Sequence, residues 1–109
     1  MVTIDQLRKI ALSFKDAVEL PHFEITSFRV NKKIFATLDE KNKRVCITLS
    51  KVNQSVFSDF DPESIYPVPN KWGQKGATYF ELKGVRKDML KDALSLSYDS
   101  VAPKKSSKK

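Results

Sequence analysis

Histidine and cysteine are scarce in this chain of 109 residues, which holds one of each. The single cysteine, Cys46, excludes an internal disulfide and gives no sign of an oxidising compartment. His22 and Cys46 cannot together form a zinc site of ordinary composition within one chain. Any Ser-His-Asp or Cys-His system would have to run through His22. That residue follows Pro21 at a strand start, the setting of a structural histidine. Only three glycines are present, and no G-x-G-x-x-G or P-loop pattern occurs. Gly73-Gln74-Lys75-Gly76 is too short to act as one. No apolar window approaches bilayer length. The N-terminus opens on a helix signal rather than on a basic segment followed by an apolar run. These absences argue against an enzyme, a cofactor, a metal or a membrane segment. They lead us to expect a cytoplasmic protein.

What is present is a core. Hydrophobic residues make up 40% of the chain, with seven Phe, three Tyr and one Trp. A chain of this length and composition can bury a stable core without cross-links. The formal net charge is +7, which suits a polyanionic partner. Four of the 20 basic side chains fall within residues 104–109, however, and without them the count is 16 basic against 13 acidic. The body is therefore mildly basic. Residues 1–103 read as one domain, and residues 104–109 as a Lys/Ser-rich tail expected to be mobile.

Thr3-Ile4-Asp5-Gln6 is a capping-box pattern. Ile4, Leu7, Ile10, Ala11 and Phe14 then follow at helical spacing. Phe23 to Val30 is rich in aromatic and β-branched residues. Its apolar parity slips, which predicts a bulge near Thr26-Ser27. Asn31-Lys32 suits a two-residue hairpin turn. Ile34 to Leu38 and Val45-Ile47-Leu49 predict two more strands around a polar turn at residues 39–43. Ser50 can cap a short helix carrying Val52, Val56 and Phe60 at i, i+4 and i+8. Ile65 to Val68 predicts an edge strand, since Pro67 and Pro69 interrupt its donors. Thr78-Phe80-Leu82 alternate as a fifth strand, and Arg86 to Val101 form a final amphipathic helix. The order α-β-β-β-α-β-β-α, with tight turns between consecutive strands, predicts an α+β two-layer sandwich. Its five-stranded sheet is mainly antiparallel, with the helices on one face.

The loop Pro69-Asn70-Lys71-Trp72-Gly73 and the segment from Ser97-Tyr98 to Ala102-Pro103-Lys104-Lys105 resemble the MmcQ/YjbR family of small bacterial proteins. The resemblance spans nearly the whole chain. It implies a frataxin-like or secretion-chaperone-like sandwich and a DNA-binding role. Relatives often carry a second Trp near position 77. This chain has Ala77, which weakens any surface site that such an aromatic would serve.

Tracing strand directions through this order brings the Asn31-Lys32 turn, Ser50-Lys51 and the loop 70–76 to one end of the sheet. Arg29, Lys32, Lys33, Lys51, Lys71 and Lys75 would gather there with Trp72, leaving Lys41, Lys43 and Arg44 at the other end. Lysines neutralise phosphates, and an aromatic ring offers a stacking face or a wedge. The expected partner is double-stranded DNA, bound by a monomer with little sequence preference. Hairpin lysines are also common simply because they are solvated, and Trp72 could instead pack beneath its loop. Tyr98 reads as a core anchor with its hydroxyl at the rim. Cys46 reads as a small half-buried strand residue. Asp59, Asp61 and Glu63 could meet a hard cation but are explained as a solvated helix end. The alternative function is a protein-interaction module. It would use an apolar patch on the uncovered sheet face, with Phe35 and Tyr79.

Overall fold

The computed structural model describes residues 2–22 and 25–102, with the side chain of His22 excluded. Phe23, Glu24, Pro103 and the Lys/Ser tail therefore lie outside the described residues. The elements run α1 (Ile4–Leu12), β1 (Val18–His22), β2 (Ile25–Val30), β3 (Lys33–Asp39), β4 (Arg44–Thr48) and α2 (Lys51–Phe60). They continue with β5 (Ile65–Pro67), α3 (Lys71–Gln74), β6 (Ala77–Glu81) and α4 (Lys87–Val101).

The two-layer α+β class holds, but the sheet has six strands rather than five, in the order β1-β2-β3-β4-β6-β5 with every pair antiparallel. The additional strand, β1, is short and contains Pro21, so its sequence reads as a connection. It lies at one margin of the sheet, while Pro67 lies on β5 at the other. Both prolines thus sit where a strand tolerates a missing donor.

Local chemistry sets the ends of these elements. Thr3 Oγ1 accepts the Gln6 N–H and the Gln6 side chain accepts the Thr3 N–H, each at 3.0 Å, completing the expected capping box. Ser50 Oγ accepts the Asn53 N–H at 3.1 Å and starts α2. Asn31 and Lys32 both adopt positive φ, 53° and 68°. These are the left-handed conformations of a tight hairpin turn matched to strand twist.

The register shifts opposite Phe28 and Arg29, but the extra residue is Phe35 on β3 and not one near Thr26-Ser27 on β2, where the pairing is regular. The effect on β3 is large. Phe35 and its neighbour Ala36 are both buried, which regular alternation would forbid. Phe35 faces the helices and not the uncovered sheet face, so it cannot contribute to an apolar patch there. Its ring meets Tyr98 edge-on at 5.5 Å, and Tyr98 stacks on Phe14 at 4.9 Å. Ser97 Oγ–H donates to the Phe35 carbonyl at 2.7 Å, and Tyr98 Oη–H to the Lys15 carbonyl at 2.6 Å. These bonds dock α4 on the sheet, and Tyr98 is the anchor that its spacing predicts.

The core lies between the sheet and α1, α2 and α4. Leu7, Phe28, Leu38, Val45, Ile47, Phe80, Leu90 and Leu94 are fully buried in it. Arg8 ties α1 to the sheet through Glu19 at 2.9 Å and Glu40 at 3.1 Å.

Helix α2 is inverted. A surface helix ordinarily turns its apolar stripe inward. Here Val52, Val56 and Phe60 are 72%, 60% and 63% exposed. The inward face carries Gln54, which is buried, and Phe57, whose ring meets Phe80 at 6.1 Å.

Candidate functional site

The strand directions place three features at one end of the sheet: the β2–β3 turn, the start of α2, and the loop 68–76 after β5. They do not form one cluster. In the strand order, the β2/β3 turn is separated from the β6/β5 junction by three strand spacings, about 14 Å. Lys32 and Lys33 stand on the first of these sites. Lys51, Lys71, Trp72 and Lys75 stand on the second. Arg29 is partly buried beside the turn, and its Nε–H is held by Ser27 Oγ at 2.9 Å.

The loop is built rigidly. Asn70 Oδ1 accepts the Trp72 N–H at 2.8 Å and opens the single turn of α3. Beneath it, the buried Gln54 amide donates to the carbonyls of Gly73 at 2.9 Å and Ala77 at 3.1 Å, and to Thr78 Oγ1 at 3.2 Å. Thr78 Oγ1–H donates onward to the Gly76 carbonyl at 2.9 Å, which also accepts the Leu49 N–H at the same distance. A polar side chain in an inward position is thus the clamp that seats the loop on β4 and β6. Helical periodicity cannot find this role, because the apolar residues of α2 point the other way.

On that support, Trp72 is 60% exposed. Packing beneath the loop is therefore not its role. The Lys75 ammonium lies 5.3 Å from its ring centroid, within cation–π reach. The loop forms a ridge between two concavities. One, of about 540 Å³, opens between α2 and the loop and is lined by Lys51, Lys71 and Asn70. The other, of about 440 Å³, lies on the uncovered sheet face below Trp72.

Arg44, Cys46 and Tyr79 line that second concavity, and they pair with Tyr66 and Glu81, which the sequence analysis passed over. Cross-strand pairing brings Arg44 opposite Glu81, and Cys46 opposite Tyr79, which is itself opposite Tyr66. The Arg44 guanidinium lies 4.0 Å from the centroid of the Tyr79 ring. Tyr66 Oη–H donates to Glu81, and Arg44 reaches the same carboxylate at 3.9 Å. Burial, followed by the Glu81 hydrogen bond, pushes the Tyr66 phenol above its ordinary range. Burial likewise pushes the Cys46 thiol up, so it is a poor nucleophile at neutral pH. Alternation of Arg44 and Cys46 with Val45 and Ile47 marks this face in the sequence. It does not reveal that β6 supplies the aromatic partners.

No curated protein matches this sequence. Among solved structures the chain is similar to the crystal structure of Deinococcus radiodurans protein DR2400, which carries the domain DUF419. The TM-score is 0.79 at 25% identity, over 93% of this chain and 79% of that one. A protein-family model described as YjbR matches residues 12–100, from the end of α1 to the last turn of α4. That span takes in the whole sheet, the Asn70–Gly76 loop and the docking contacts of Ser97 and Tyr98: the chain belongs to the YjbR family.

Proposed function

We propose that the protein is a non-catalytic, cytoplasmic DNA-binding protein that engages double-stranded DNA with the loop end of its sheet. The observation that carries this reading is the exposed Trp72, held out on a rigid loop with Lys75 beside its ring and Lys51 and Lys71 lining the adjacent groove. An exposed tryptophan on a hydrogen-bonded loop supplies apolar contact at little ordering cost, and the lysines supply phosphate neutralisation. Lys32, Lys33 and Arg29 extend the basic surface along the same end of the sheet, a few nucleotides' reach from the loop. Asn70 and Gln74 are the nearby groups suited to base edges, so binding should depend on salt far more than on sequence.

The test is a titration of labelled duplex across a salt series. Replacing Lys71 and Lys75 together with Ala should flatten the logarithmic salt slope by about 1.8, the value for two phosphate contacts. Trp72→Ala should weaken binding about tenfold while leaving the slope intact. A chain ending at Pro103 should still bind. Unchanged salt dependence in the double variant would remove the loop from this proposal, and binding lost with residues 104–109 would assign it to the tail. The rival reading, a protein-interaction patch on the sheet face, loses its main aromatic because Phe35 is buried. Tyr79 remains on that face, with one side of its ring covered by Arg44.

A further inference from the structure

The inverted helix α2 has no role in the site described above, apart from Gln54 and Lys51. Its stripe of Val52, Val56 and Phe60 is the largest set of exposed hydrophobic side chains on one helix among the described residues. An apolar stripe facing water marks a contact surface more often than chance. The charges around it identify the occupant. Lys51 opens the helix, the first turn has no acidic residue, the last turn has no basic one, and Asp59 lies near the C-terminus. Both ends thus oppose the helix macrodipole, which favours acids at the start and bases at the finish.

We propose that α2 pairs with α2 of a second copy of this chain, antiparallel and about a two-fold axis through Val56. Successive helical residues are about 100° apart. Lys51, Ser55 and Asp59 therefore lie on one side of the stripe. A two-fold axis perpendicular to antiparallel helices brings like sides together. Val56 then meets Val56 of the partner subunit, and Val52 meets Phe60 of the partner subunit. Lys51 comes within one helical turn of Asp59 of the partner subunit, and each positive helix start meets an acidic helix end. The charges that are unfavourable within one helix become complementary between two. This departs from the monomer expected from the sequence, and it draws Lys51 away from the DNA-facing groove.

The stripe is smaller than the roughly 800 Å² per partner of a standard interface, so pairing should be weak, with a Kd of about 0.1 mM. Sedimentation velocity on the full chain, from about 10 µM to about 1 mM, should show a reversible monomer–dimer equilibrium. Val56→Lys places two ammonium groups face to face on the axis and should raise Kd about tenfold or more. Val56 is exposed, so the thermal melt of this variant should match that of the parent. Lys51→Asp and Asp59→Lys should each weaken the dimer. The double variant, with the pair reversed, should restore it. A chain that stays monomeric up to the highest concentration overturns the proposal, as does a dimer indifferent to Val56→Lys. A double variant no better than its parents overturns the antiparallel pairing.

Discussion

Gly76→Ala should cost about 3 kcal/mol of stability or more, a fall in Tm of about 12 °C or more for a domain of this size. Two independent causes act at this position. Gly76 has φ of 105°, outside the range that L side chains readily adopt. A Cβ built there would lie 1.9 Å from the Leu49 carbonyl oxygen, which is backbone and cannot swing aside. Retreat is also blocked, because the Gly76 carbonyl accepts the Leu49 N–H at 2.9 Å and the Thr78 hydroxyl at 2.9 Å. Moving the loop away from Leu49 would break the first bond and pull the Gly76 carbonyl from the seat that the Thr78 hydroxyl gives it on β6. Urea unfolding of the variant reads the loss directly. A change below about 1 kcal/mol would mean that the loop can relax away from Leu49, and so that it is softer than its hydrogen bonds imply.

Gln54→Glu is nearly isosteric and should still be severe, about 3–4 kcal/mol at about pH 8. The Gln54 amide N–H₂ serves three acceptors: the Gly73 and Ala77 carbonyls and Thr78 Oγ1. A carboxylate offers only acceptors, so it would face oxygen with oxygen while buried and unpaired. Those surroundings raise the folded-state pKa of the new acid above its unfolded value. The folded form then binds the proton more tightly, so the deficit should shrink as the pH falls through that raised pKa and the neutral acid can donate one bond. Unfolding measured at about pH 8 and about pH 5 should therefore give two different losses. Gln54→Leu is the control. It should lose about 2 kcal/mol at both values, since the Gly73 and Ala77 carbonyls each keep a backbone donor, from Gly76 and Val68 respectively. A pH-independent loss in the Glu variant would place the side chain in solvent. If the loop binds duplex DNA as proposed, both variants should also weaken that binding beyond what their residual folded fraction explains, because the clamp seats the loop that carries Trp72.

Much of the architecture is legible where local chemistry decides it. Thr3 with Gln6, Ser50, and the Asn31-Lys32 turn are each specified by neighbours within a few residues, and the structure realises all three. The face of α4 is legible as well, because Leu90, Ala93, Leu94 and Ser97 repeat at helical spacing and all are buried. The misses share a different cause. Strand β1 contains five residues and a proline, and it exists because β2 offers it a ladder, which no local pattern announces. Phe35 moves into the core because it is itself the extra residue of a bulge, left unpaired between Ile34 and Ala36, and that bulge is set by how β2 and β3 pair rather than by any local pattern. Periodicity locates the stripe on α2 but cannot tell inside from outside. The decision falls to Gln54, whose three acceptors lie 19 to 24 residues away. For the candidate site, the loop and its lysines are legible as a basic element with an aromatic. The exposure of Trp72 is not, since it depends on the Asn70 cap and on what fills the space beneath the loop.

The prolines at the two margins of the sheet bear on how these molecules can crowd together. Pro21 on β1 and Pro67 on β5 leave each outer strand with a gap in its row of donors. An incoming strand would find an incomplete template on either side, the usual protection against edge-to-edge growth. Open-ended stacking of sheets into fibres is thereby disfavoured, and association must use a helix or a sheet face. Pairing through α2 about a two-fold axis consumes its own surface and stops at two. Concentrated solutions of this protein should accordingly contain closed pairs that dissolve on dilution, rather than aggregates that persist.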